Sequence, residues 1–177
     1  RYSSPRMEAD PTQIIAFGYH GLDAEKVTGW LARHRRVLVD IRLTPWCGWS
    51  PKWSREWLAT ACDYQHMPGL GNKERDRAQP VRLANPGPCV DWIVAEAKRG
   101  TRMALMCVCG SPARCHRTEV LGLLRARGLA PIEASELVAK MFGVRRAAEA
   151  PAPFAVAAAV IRLALPVLSA RLQIGRA

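Results

Sequence analysis

Short apolar runs, each followed by a segment with helical spacing, most restrict the folds open to this chain. Gln13-Ile14-Ile15-Ala16-Phe17 precedes a segment from Asp23 to about His34, where Val27, Trp30 and Leu31 share one face. Leu22-Asp23-Ala24-Glu25 reads as its capped start. Arg36-Val37-Leu38-Val39-Asp40-Ile41 precedes a Trp-rich loop and a predicted helix from Ser54 to about Cys62. Tyr64-Gln65-His66-Met67 is followed by a long polar loop from Pro68 to Pro88 and a predicted helix from Cys89 to Lys98. Arg102 to Val108 is continuous and apolar, as a buried central strand should be. Ser111-Pro112 behind it reads as an N-cap and first helical residue, with Val120, Leu121 and Leu124 on the buried face and Gly128 closing the helix. A weaker strand, Ala130 to Ala134, precedes a short helix from Ser135 to Phe142. This alternation predicts an α/β fold with a mostly parallel sheet of about five strands and helices on both faces.

Length and composition place these units in one domain. The chain has 177 residues with 49% hydrophobic content, enough for one substantial core. Residues 1–12 read as a disordered segment, 13–143 as the α/β domain and 144–177 as an Ala/Pro/Arg-rich appendage. Phe154 to Ala170 is apolar, but Arg162 and Pro166 interrupt it, and it falls short of the roughly 20 residues of a membrane span. No membrane partner is expected. Arg1 to Pro11 lacks an apolar signal-peptide core, and six cysteines without one point to a reducing, cytoplasmic setting with free thiols.

The net charge of +11 is unevenly distributed. Residues 12–143 carry 19 Lys and Arg against 12 Asp and Glu, and residues from 144 onward carry five Arg against one Glu. A balance of this size suits an anionic partner such as a nucleotide or nucleic acid; a solvated basic surface is the plainer reading.

Chemistry is concentrated between Met106 and Arg117. Three thiols, an imidazole and two guanidiniums fall where a strand ends and a helix starts, the edge at which open α/β sheets bind ligands. With Cys115 in the first helical turn, the helix dipole and His116, Arg114 and Arg117 favour its thiolate, making it the candidate nucleophile. A buried, inert Cys115 is the alternative. Cys107, Cys109, Cys115 and His116 are also zinc-type ligands. Adjacent Cys115 and His116 rarely reach one ion together, however, and no second CxxC knuckle is present. No cofactor is therefore expected, with zinc on Cys107, Cys109 and Cys115 as the minority reading.

Asp40 and Arg42 end the second strand and His66 the third, so all three should lie at the same sheet edge. Gly71, in Gly69-Leu70-Gly71-Asn72, is a candidate for close backbone approach to a ligand. Trp46, Trp49, Trp53 and Trp57 fall three and four apart. Trp53 and Trp57 suit a core-facing helix, whereas Trp46 and Trp49, in a Pro/Gly loop, suit stacking on a planar ligand.

Ile15-Ala16-Phe17-Gly18-Tyr19-His20, Val39-Asp40-Ile41-Arg42-Leu43-Thr44-Pro45, Tyr64-Gln65-His66-Met67-Pro68-Gly69-Leu70-Gly71 and Ala104-Leu105-Met106-Cys107 through Cys115-His116-Arg117 together resemble the domain-of-unknown-function family 488, over roughly residues 13–142. The resemblance implies a Rossmann-like three-layer α/β domain. It points to Asp40, Arg42, His66, Leu70, Gly71, Cys107, Cys115, His116 and Arg117 as site residues. In the family's pattern a Glu stands where this chain has Cys109, and small or basic residues stand where it has Trp46 and Trp49. If that Glu were a general acid or base, this chain would be a binder.

Two functions follow. In the first, an enzyme acts on a nucleotide or nucleic-acid-derived anionic ligand. Arg42 and Arg117 hold the anion, Cys115 attacks, His116 transfers a proton, and Asp40 orients a neighbour or takes a ligand hydroxyl. In the second, a non-enzymatic nucleic-acid-binding module uses its basic charge and Trp loop, with structural or zinc-binding cysteines. Its affinity falls steeply with salt.

Overall fold

The computed structural model describes residues 13–143 apart from Arg75, Arg77 and Arg114. The segments 1–12 and 144–177, and the charge expected from Arg114, therefore lie outside the described residues.

Five strands form one sheet in the order β3-β2-β4-β1-β5, every pairing parallel. They are β1 (Ile14–Gly18), β2 (Arg36–Asp40), β3 (Tyr64–His66), β4 (Arg102–Cys107) and β5 (Ile132–Glu133). The helices are α1 (Ala24–Arg33), α2 (Arg55–Ala61), α3 (Pro86–Lys98), α4 (His116–Ala126) and α5 (Ser135–Met141). None of the described helices is long and apolar enough to cross a membrane.

The pleat sorts the core into two halves. Ile14 and Ala16 of β1, Val39 of β2, and Met103, Leu105 and Cys107 of β4 pack with Val90 and Ile93 of α3 and Val120, Leu121 and Leu124 of α4. Ile15, Phe17, Leu38, Ala104 and Met106 face the other way, against Val27 and Leu31 of α1, Leu58 of α2 and Val138 of α5. These strands are continuous apolar runs because both of their faces are covered.

Two helix starts depart from the sequence reading. α3 begins at Pro86 rather than Cys89, because Pro86 and Pro88 occupy a first turn whose N–H groups have no intrahelical acceptor. α4 begins at His116 and not at Pro112. Ser111 Oγ accepts from the Ala113 N–H, at 3.1 Å, and caps a single turn closed by Cys115 N on Pro112 O. The chain then becomes extended at Cys115, with φ −107° and ψ 134°. Cys115 is thus the N-cap of α4, not a first-turn residue, and its sulfur accepts from Arg117 N at 3.4 Å. The start of α1 is as expected: Asp23 Oδ1 accepts from Lys26 N at 3.0 Å.

The order of the strands sets the position of a crevice. The chain leaves β1 and β2 for helices on one face, and leaves β4, which lies between them, for a helix on the other. The carboxyl ends of β1, β4 and β2 thus form the switch point at which open sheets leave room for a ligand.

Candidate functional site

An open cleft of about 190 Å³ occupies that switch point. Tyr19 follows β1, Arg42, Leu43 and Thr44 follow β2, and Val108 follows β4; each contributes to its wall. Trp46, Trp49, Asn72 and His116 complete it. The loop bearing the two indoles is fastened at its base, where Arg55 N donates to Pro45 O at 2.9 Å and Cys47 N to Ser54 Oγ at 3.0 Å. Trp46 and Trp49 are 70% and 73% exposed, a large apolar area left in water on the cleft wall. Trp53, by contrast, is buried and stacks on Tyr19 with ring centroids 4.4 Å apart, and Trp57 packs against the core. Periodicity separated these pairs correctly.

Arg42 forms the cationic part of the wall, and Asp40 serves it. The Asp40 carboxylate is fully buried and accepts from Arg42 Nε at 2.8 Å, Arg42 Nη2 at 2.6 Å and Tyr64 Oη at 2.7 Å. Arg42 Nη1 donates to Tyr19 Oη at 3.2 Å, so at least three of the five guanidinium N–H groups are engaged. Burial works against the Arg42 charge, but the hydrogen bond and field of Asp40 outweigh it and raise its pKa. Asp40 has its oxygens occupied and orients Arg42.

His66 and Gly71 stand behind the wall. His66 Nε2 lies 2.9 Å from Arg42 O, and a Cβ on Gly71 would come within 2.4 Å of Leu43 N. Both shape the Arg42–Thr44 turn from outside the cleft.

The sulfur cluster lies on the other face of the sheet. Cys107 ends β4, Cys109 follows in the loop and Cys115 caps α4; their sulfurs all lie within 4.8 Å of one another. Cys107 Sγ and Cys115 Sγ are 3.3 Å apart. The three thiols are placed to hold a metal ion, and His116 is not among the group. Arg117 lies beneath them, fully buried, instead of on the cleft wall. Its Nε donates to Glu133 Oε2 at 2.6 Å, and its Nη1 to Cys107 Sγ at 2.7 Å and Cys109 O at 3.2 Å.

One negative charge suits this arrangement. Hydrogen bonds from Cys107 and Cys115, aided by His116 and Arg117, lower the Cys109 thiol to about 2 against the cost of burial. Cys107, hydrogen-bonded to Cys109 and then to Cys115, and buried, is raised well above its usual range. A hydrogen bond from Cys107 lowers Cys115, but donation to Cys109 and burial together raise it to about 11. The partly exposed thiol is thus the charged one, and the candidate singled out from sequence, Cys115, is 2% exposed. The guanidinium lies nearest to Cys107 while the thiolate is on Cys109, so Arg117 neutralises the cluster as a whole.

His116 links cluster and cleft. Its Nε2 lies 3.1 Å from Ile41 O; a carbonyl only accepts, so Nε2 carries the proton. Burial lowers its pKa, and with the proton on Nε2 the lone pair lies on Nδ1.

Gly18 makes room for the Cys109 turn, since a Cβ there would fall 1.5 Å from Cys109 O. Gly18→Ala is expected to lower stability by about 1–3 kcal/mol in urea unfolding, because backbone has to move.

Sequence reasoning missed Tyr19, Tyr64, Asn72 and Glu133. Tyr19 was findable, being the residue immediately after the first strand.

An α/β domain with a strand-end thiol cluster beside an aromatic cleft is the class defined by this geometry. Within that class, the chain belongs to the family described as domain of unknown function DUF488, whose model matches residues 27–124. The span takes in Asp40, Arg42, Trp46, Trp49, His66, Gly71 and the whole run from Cys107 to Arg117, while β1, Tyr19 and Glu133 fall outside it. Comparison with curated proteins gives no match, and neither does comparison with solved structures.

Proposed function

We propose that the domain is an enzyme acting on a nucleotide or nucleic-acid-derived anionic ligand, with Cys109 as its nucleophile. One observation carries this reading. A partly exposed thiol follows Val108 at the end of β4, and Val108 and His116 themselves line a cleft walled by two exposed indoles and the Arg42 guanidinium. Trp46 and Trp49 offer stacking surfaces for planar bases, and Arg42 offers a fixed positive charge on the cleft wall to an anion. The Cys109 sulfur bonds to an electrophilic centre of the ligand as the leaving group departs with its electron pair. Water, losing a proton to His116 Nδ1, then attacks the same centre and returns the thiolate. Arg117, Cys107 and Cys115 hold the charge on Cys109.

The nucleophile assigned from sequence thus moves from Cys115 to Cys109, and Arg117 moves from the ligand to the thiolate. Titration of tryptophan fluorescence with a short mixed-sequence single-stranded RNA tests the binding half. Trp46→Ala and Trp49→Ala are each expected to weaken binding by about 1–3 kcal/mol, the value of one base–aromatic stack. Equal affinity in the wild type and both variants contradicts it. Cys109→Ser should bind normally and turn nothing over.

A second reading is favoured by the proximity of the three sulfurs. Zinc with ligands at about 2.3 Å in a tetrahedron sets sulfurs about 3.8 Å apart, close to the spacing here. Under this reading the cysteines are structural, nucleic-acid binding alone remains, and protein purified without chelator carries one zinc per chain.

A further inference from the structure

The cluster has the layout of an oxidisable dithiol as well as of a nucleophile site. All six cysteines are free, and three of them converge here. Cys107 and Cys115 are at most 2% exposed, so a small oxidant reaches the partly exposed Cys109 first. Cys109 Sγ lies within 4.8 Å of both other sulfurs, and a disulfide needs about 2.0 Å. The remaining approach falls to the 108–115 loop, which is free of strand pairing.

The two buried thiols are not equivalent. Cys107 is fixed at the end of β4, paired in register with Gly18, and its sulfur receives Arg117 Nη1 at 2.7 Å. Cys115 closes the same irregular loop that carries Cys109, and neither is held by strand pairing.

We propose that Cys109 and Cys115 form a hydroperoxide-oxidised pair, Cys109 taking the oxygen and Cys115 resolving it as a disulfide. The Cys109 sulfur attacks the peroxide O–O bond, forming S–O, and the departing oxygen takes a proton and leaves as alcohol or water. The Cys115 sulfur then attacks that sulfenic sulfur. The S–S bond forms, the S–O bond breaks, and hydroxide leaves with the Cys115 proton as water. The two cysteines lose two electrons and the peroxide gains them; a dithiol reductant reverses the step by exchange. Oxidation removes the nucleophile and pulls on His116, the next residue after Cys115. The chemistry needs no nucleotide, so it stands or falls separately from the ligand reading.

The test uses the full chain, reduced and desalted, with hydrogen peroxide and no other ligand. The expected result is loss of two of the six free thiols, a mass decrease of about 2 Da and a Cys109–Cys115 cross-link in the peptide map, all reversed by dithiothreitol. Cys109→Ser should lose no thiols, Cys115→Ser should stop at a dimedone-trapped sulfenic acid, and Cys62→Ser should behave as wild type. Mapping the wild-type product does not depend on any variant folding. Thiols that survive excess peroxide, a Cys107–Cys115 cross-link as the product, or a metal ion holding all three sulfurs would each overturn the proposal.

Discussion

Arg117→Met should lower the unfolding free energy by about 3–5 kcal/mol, the largest stability loss expected of any single change to this site. The side chain is fully buried and joins α4 to β5 through Glu133, to β4 through Cys107, and to the loop through Cys109 O. Removing the guanidinium leaves a partly buried carboxylate and a thiolate with no cation against them. Breaking such an arrangement costs far more than the assembled one contributes. Arg117→Lys should recover only part of the loss, since an ammonium cannot reproduce the fork that spans Nε and Nη1. Urea unfolding at neutral pH measures both. Arg117 Nη2 has no partner among the described residues, so the residue is not optimised for stability alone. Its charge is better accounted for by the thiolate above it. A loss below about 1 kcal/mol, the scale of an exposed ion pair, would mean that the cluster carries no charge.

The second large effect concerns how alkylation varies with pH. Cys109, held near 2, is thiolate throughout the working range, so its rate with iodoacetamide should be flat from about pH 5 to 8. Cys62, pushed up to about 11 by burial and then by Asp63, should react about tenfold faster for each pH unit gained. From pH 5 to 8 the ratio of the two rates therefore changes by about three orders of magnitude. Slope is the right readout, because a low-pKa thiolate is also intrinsically less nucleophilic. Labelling followed by peptide mass analysis separates the sites. A Cys109 rate that climbs with pH as Cys62 does would place the charge elsewhere in the cluster.

The centre of the sheet was legible because β1, β2 and β4 are largely apolar runs, a pattern imposed by burial on both faces. The start of α4 was misread because Ser111-Pro112 is a genuine capping signal, here spent on one isolated turn. That shift moved Cys115 from first turn to N-cap and, with it, the identity of the exposed thiol. The candidate residues were read together at one sheet edge, without the division that the pleat makes between its two faces. Asp40 pairs with Met106, and its carboxylate lies with Tyr19 and Tyr64 on one side; Cys107, one residue further along β4, points to the other. A one-residue offset in a pleated strand changes the face, and composition cannot reveal which residues it separates. Glu133 escaped notice because β5 is two residues long, and its bond to Arg117 joins that strand to α4.

The account rests on thiolate and aromatic cleft being one site, and protection of Cys109 tests that most directly. Iodoacetamide labelling of Cys109 and Cys62 would be followed while a short mixed-sequence single-stranded RNA is titrated to saturation. Cys109 labelling should slow in step with occupancy of the cleft, with Cys62 unchanged as the internal control. Unchanged Cys109 labelling at saturation, or no binding at all, would contradict it.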